Sequence, residues 1–229
     1  MKLYYDASSA SIAERYGSFF ELEPLSAEAD AEPALLAQDH RLQLRLPGSD
    51  RGTCVDPRAV ARRVSRRSDL ARACGFSKLK RPRILDACAG WGIDGLSLAQ
   101  AGASVTLLER ERPIWALLDD LCRQQPWGHD ALHCVPAEAW MTATPERWDV
   151  VYLDPMFPPR SKTALPKERL QLLSTLTGPP QSLELLLEGA RRCASRRVVL
   201  KRRRKDPIVG DPSGQIAGKT VRYDLYAAA

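Results

Sequence analysis

Between residues 83 and 201 the chain alternates strand-like apolar runs with helical stretches, and few architectures accept that order. Runs at 83–87, 104–109, 131–135, 148–154 and 197–201 are short and rich in branched residues, as buried strands are. Between them, residues 112–125 place Ile114, Leu117, Leu118, Leu121 and Cys122 at helical spacing, and 180–194 do so with Leu183, Leu186, Leu187 and Ala190. Alternating strand and helix predicts an α/β fold: a mostly parallel, Rossmann-like sheet with helices on both faces. The 219–227 tail alternates again and reads as a final antiparallel edge strand. Residues 1–56 form a small N-terminal α/β module, in which 40–47 carry the strict alternation Leu42, Leu44, Leu46 of a half-buried strand. A basic linking helix fills 57–82, helical over 57–74 from Pro57 to the stop at Gly75, with Val60, Val64, Ala71 and Cys74 as its apolar stripe. The main domain is 83–229.

Composition narrows the class. An apolar fraction of 44% and a charged fraction of 27% are those of a folded soluble chain, which excludes disorder as the main state. No run of about 18 apolar residues is present, so no membrane partner is expected. The N-terminus lacks an apolar signal core, which points to the cytoplasm. The six cysteines are never closer than 12 positions, and His40, His129 and His133 lack ligand-like partners, so neither disulfides nor a metal are expected.

The first strand runs into Asp86-Ala-Cys-Ala-Gly90-Trp-Gly92-Ile93-Asp94-Gly95. Glycines there permit a tight turn, close approach of a ligand to backbone, and close helix packing. Glu109 ends the next strand, 19 positions after Gly90, where a carboxylate accepts the hydroxyls of a ribose. This pattern alone does not separate a dinucleotide from S-adenosylmethionine. The fourth strand favours the latter, because it ends in Asp154-Pro155-Met156-Phe157-Pro158 at the carboxyl edge where such sheets bind ligands. Asp154 and the Pro155 carbonyl are acceptors for an exocyclic amine, and Phe157 offers a stacking face.

The turn at 86–92 and the loop at 154–158 resemble motifs I and IV of class I S-adenosylmethionine-dependent amino-methyltransferases. Tyr152-LDPMFP, Ser161-KTAL, Val198-VLKR and Arg222-YDLYA extend the likeness to the bacterial ribosomal RNA small subunit methyltransferase J family, over 40–229. That resemblance implies transfer of a methyl group to N2 of a guanine in 16S rRNA, guanine 1516 in the family. It implies a cofactor site of Asp86, Gly90, Gly92, Ile93, Asp94, Glu109, Arg110, Ala137, Glu138 and Asp154. Ala137 and Glu138 stand where the family has small hydroxyl residues, and Glu138 retains an acceptor there. Asp154, Pro155 and Phe157 are the expected catalytic set. Other readings are an adenine-N6 or protein-amide methyltransferase, a nicotinamide-dependent oxidoreductase, and an RNA-binding protein without catalysis.

Charge supplies the partner. The net charge is +6, yet residues 57–83 hold ten Arg or Lys against Asp69, and 191–205 hold nine with no acid. Two such blocks suggest a polyanionic partner, which the resemblance implies is 16S rRNA or the small ribosomal subunit, bound by a monomer. The expected contacts are Arg62, Arg63, Arg66, Arg67, Lys162, Lys201, Arg202, Arg203 and Arg204. A solvated helix surface is the plainer reading of either block.

Overall fold

The computed structural model describes residues 1–26, 32–49, 52–63, 65–124, 126–155 and 182–229. They divide into two compact units, one of Met1–Pro57 and Glu111–Pro126, the other of Arg58–Arg110, 127–155 and 182–229.

In the first unit, β1 (Lys2–Tyr5), β2 (Glu21–Pro24), β3 (Ala34–Gln38) and β4 (Arg41–Arg45) form a sheet of order β2-β1-β3-β4. Helix α1 (Ala10–Arg15) connects β1 to β2. Strands β3 and β4 are a hairpin whose turn residues, Asp39 and His40, have φ of 53° and 58°. Left-handed residues at both central positions give the turn the twist of the strands it joins. Strand β4 departs from the half-buried expectation. Gln43 is buried along with Leu42 and Leu44, while Leu46 lies beyond the strand. The Gln43 side chain packs against Gly52, and helix α5 (Arg112–Gln124), which belongs to this unit, packs on the strand. Its Asp120 accepts the edge N–H of Leu42 at 2.9 Å, and Asp119 accepts from the Tyr16 hydroxyl at 2.9 Å. Its Ile114, Leu117, Leu118 and Leu121 are buried, as their spacing predicts.

The second unit is built on seven strands: β5 (Arg83–Asp86), β6 (Ser104–Glu109), β7 (Ala131–Cys134), β8 (Trp148–Leu153), β9 (Ala194–Arg203), β10 (Gly214–Ala217) and β11 (Val221–Ala227). Their order is β10-β11-β9-β8-β5-β6-β7, with β5 to β9 parallel and β11 antiparallel to both of its neighbours, β9 and β10. Sequence order reverses between β5 and β8, the switch point at which such sheets open a crevice at their carboxyl ends. On one face Leu85, Leu108, Val151, Leu153, Val198 and Leu200 pack with α6 (Ala137–Ala143) and α7 (Leu183–Cys193). On the other lies α4 (Ile93–Gln100), whose Ser97 hydroxyl donates to the Val60 carbonyl of α2 (Pro57–Ala61) at 3.1 Å.

Three expectations need correction. The helix over 57–74 is two helices, α2 and α3 (Asp69–Ala73), because Ser68 is extended and its hydroxyl caps α3 at Ala71 N–H. The fifth strand runs from Ala194 to Arg203, well beyond 197–201, because β11 pairs along most of it. The tail strand β11 is internal, and the edge is β10, a short stretch that lacks a buried run.

Candidate active site

Strand register assembles the site. Residues alternate faces along a strand, so Asp86, Tyr152 and Lys201 project opposite to the Leu85, Leu153 and Leu200 side chains that meet α6 and α7. Asp86 pairs with Tyr152 and Leu153 with Leu200, so the next rung sets Asp154 beside Lys201. Above this face runs α4, carrying Asp94 in its first turn.

The glycine turn between β5 and α4 divides its work as expected. Gly90 and Gly92 have φ of 52° and 70°, which favour glycine, and a Cβ on Gly90 would enter open space. Gly95 answers a different demand. A Cβ there would stand 2.4 Å from Leu107 Cδ2 and 2.6 Å from Asp86 Oδ2, so only glycine lets α4 sit this low. Glu109 closes the turn by accepting the Gly90 N–H at 2.8 Å.

A charged cluster joins the elements. Lys201 Nζ lies 2.6 Å from Asp94 Oδ2 and 2.6 Å from Asp154 Oδ2. Arg63 donates to Asp94 Oδ1 at 2.5 Å, and the buried Tyr152 hydroxyl donates to Asp94 Oδ2 at 2.8 Å. Burial alone would raise the Asp94 carboxyl, but Lys201 and Arg63 outweigh it and hold it below the usual carboxylate range. Asp154 sits above that range, because burial outweighs the pull of Lys201. Asp86 is pushed well up by burial and by the charge on Asp94, although it accepts the Cys88 N–H at 3.3 Å. Lys201 is raised by its two acids despite its own burial, so it remains an ammonium.

The expected residues fall into three groups. Asp86, Gly90, Gly92, Ile93, Asp94, Glu109, Asp154 and Pro155 gather at the carboxyl ends of β5, β6 and β8. Arg110 follows β6, while Ala137 and Glu138 open α6, with Ala137 buried. Phe157 and Lys162 lie outside the described residues. Several expected RNA contacts also make bonds within the protein. Lys201 and Arg63 serve the carboxylates just described. Arg66 donates to the carbonyls of Ala101 at 2.8 Å and Lys80 at 2.9 Å, and lies over the Phe76 ring. Arg202 is 7% exposed and reaches the Pro207 carbonyl, since its strand continues where a loop was expected. Arg62, Arg63, Arg66, Arg67, Arg203 and Arg204 are exposed.

Tyr152 and Arg63 are the members whose place in this cluster sequence reasoning missed; the place of Lys201 beside the Asp154 loop was legible, and its two carboxylate partners were not. A period-two reading of 198–201 carried the signal for Lys201, since a lysine two positions after Val199 ends a buried strand beside an acid that ends its neighbour.

Comparison with known proteins bears on what this cluster serves. A model of putative S-adenosylmethionine-dependent methyltransferases matches residues 19–228. A ribosomal RNA small subunit methyltransferase J of Thioalkalivibrio sulfidiphilus is 43% identical over 224 residues, 89% of this chain and 88% of its own. The chain belongs to the ribosomal RNA small subunit methyltransferase J family. The methyltransferase J of Pseudomonas fluorescens is 38% identical over 237 residues, 93% of this chain and 89% of that one. The crystal structure of a SAM-dependent methyltransferase from Neisseria gonorrhoeae has a TM-score of 0.79 at 29% identity, over 100% of this chain and 96% of that one. The match to the methyltransferase model starts at residue 19, so the likeness extends upstream of the 40–229 span that the motifs mark.

The cofactor of the methyltransferase J family suits the residues present. The open space above Gly90 admits a ligand against the backbone, and acids from three strands stand around the turn, which favours a sulfonium cation. Among the described residues no helix is long and apolar enough to cross a membrane.

Proposed function

We propose that this protein methylates the exocyclic N2 amine of an unpaired guanine in 16S rRNA, guanine 1516 by family likeness, with S-adenosylmethionine as donor. The observation that carries the reading is Asp154-Pro155 at the carboxyl end of β8, one strand from the glycine turn at the switch point. Relatives named for small-subunit ribosomal RNA support the substrate class.

Bound S-adenosylmethionine supplies an electrophilic methyl group on a sulfonium. Asp86, Gly90, Gly92, Ile93, Asp94, Glu109, Arg110, Ala137 and Glu138 would hold it, with Glu109 toward the ribose. The protein's own task is to present a poor nucleophile. A guanine amine is weakened by delocalisation into the ring, and hydrogen bonds to Asp154 and the Pro155 carbonyl orient it and draw density onto nitrogen. Alignment of this type contributes up to ~7–11 kcal/mol in favourable systems. Asp154 then receives the amine proton, which a carboxylate raised by burial takes more readily. A paired guanine cannot present its N2 this way, so the nucleotide must be single-stranded or flipped. Phe157 is assigned the stacking face. Arg62, Arg67, Arg203 and Arg204 are assigned the phosphates. Such a substrate places the work in the cytoplasm, and a monomer suffices for it.

The test uses rRNA or small subunits from a strain lacking the gene, incubated with the protein and methyl-labelled cofactor. Label in N2-methylguanosine after digestion is the expected result. Label in N6-methyladenosine, or transfer only to protein, overturns the assignment.

A further inference from the structure

Lys201 was expected among the phosphate contacts, and its surroundings oppose that role. Its side chain is 18% exposed and its ammonium already spans two carboxylates at 2.6 Å each. A phosphate reaching it would be brought against both acids. Nor can it act as a base, since those acids keep it protonated.

The two acids depend on it unequally. Asp94 also holds Arg63 and the Tyr152 hydroxyl. The Asp154 carboxylate has no second hydrogen-bonding partner among the described residues. Among the described residues, loss of Lys201 therefore leaves Asp94 paired and Asp154 without a hydrogen-bonding side chain. We infer that Lys201 is a positioning residue: it fastens Asp154 through Oδ2, keeps that carboxylate ionised, and leaves Oδ1 as the oxygen for the substrate amine. The role in methyl transfer rests on the reading of Asp154 as amine acceptor, whereas the hold on its ionisation does not.

The other groups facing Asp154 cannot substitute. Asp94 on α4 and Asp86 at the end of β5 repel its charge. Cys88 in the glycine turn, Tyr152 on the same strand and Tyr223 on β11 are raised by burial and stay neutral near pH 7. Among the described residues Arg63 is the other nearby cation, but its guanidinium bonds to Asp94.

The experiment is a carboxyl carbon-13 titration of the protein without cofactor or RNA, with Asp154 assigned through Asp154→Asn. In Lys201→Gln the Asp154 midpoint should rise by about 1 pH unit or more, the effect of losing an adjacent opposite charge. Lys201→Arg should return it most of the way. Asp94→Asn, which needs no change at Lys201, should lower the midpoint by removing a repelling charge and a competing partner. With rRNA, the acid limb of kcat in Lys201→Gln should move upward with the midpoint, while the KM for RNA stays put. An unmoved midpoint in folded Lys201→Gln, or in Asp94→Asn should the former not fold, overturns the inference. So does a lower salt slope of RNA binding in Lys201→Gln, which would mark a phosphate contact. Failure of the wild type to methylate rRNA while the midpoints shift would sink the functional reading and leave the hold on Asp154 standing.

Discussion

Two glycines of one turn make separable demands. At Gly90 a side chain is penalised only by its left-handed backbone, about 1–2 kcal/mol, and its Cβ would enter the space above the turn. Gly90→Ala should therefore lose far more cofactor affinity than stability. At Gly95 the obstacle is packing against Leu107 and Asp86, so Gly95→Ala should cost about 1–3 kcal/mol of stability as α4 is pushed off the sheet. Urea unfolding and cofactor calorimetry on both variants separate the two; equal losses of cofactor affinity would show that the turn is not divided this way. Asp94 supplies a pH test. Its carboxyl is held below the unfolded value of 3.8, so its stabilisation is present above that pH and is lost as pH falls through the folded pKa. Asp86 and Asp154, both raised, act in the opposite sense and gain protons on folding. The stability gap between wild type and Asp94→Asn should thus be widest near neutrality and shrink as pH falls below 3.8. A gap independent of pH would mean that Asp94 carries no net charge coupling.

At the scale of elements, the turn after β9 is shaped from within by Arg222 on β11. Its guanidinium donates to the carbonyls of Arg204 at 2.9 Å, Asp206 at 2.7 Å and Pro207 at 3.2 Å, and pairs with the fully buried Asp224 at 2.9 Å. Carbonyls drawn inward leave the side chains of Arg203, Arg204 and Lys205 outward, all exposed. Arg222→Ala strands a buried carboxylate and releases those carbonyls, which should cost about 3–5 kcal/mol. RNA affinity should fall with it while cofactor affinity holds, a combination that calorimetry and filter binding on the folded fraction can read. The motif Arg222-Tyr-Asp224 was legible as a family mark, but its purpose was not. A strand pattern says which residues face inward, and it does not say which turn a buried arginine will grip.

Across the whole molecule, the basic stretch 191–205 is one block in sequence and two in space. Strand β9 separates its ends by ten residues, roughly 30 Å at the strand rise. At the amino end Arg192 pairs with Glu188 and Arg196 with Asp149, an ordinary solvated surface. At the carboxyl end Arg203 and Arg204 follow Lys201 and stand by the site. Reversing Arg203 and Arg204 to Glu should weaken RNA binding steeply and lower the salt slope by roughly 0.7–0.9 for each phosphate released. Reversing Arg192 and Arg196 should leave both nearly unchanged; equal effects would mean the whole block binds. The α/β class, the glycine turn, Glu109 and Asp154-Pro155 followed from sequence, because each depends on local spacing and on the chemistry of a strand end. The helix over 57–74 broke because Ser68 caps a new start and Arg66 finds carbonyls far along the chain. Helix α5 showed its apolar stripe in sequence, yet nothing there assigned it to the compact unit of β4. The partners of Lys201, Arg63 and Arg202 were decided by tertiary structure alone. A basic side chain looks the same in sequence whether it meets a phosphate or a carboxylate, and only packing brings Asp94 and Asp154, 60 residues apart, within reach of one ammonium.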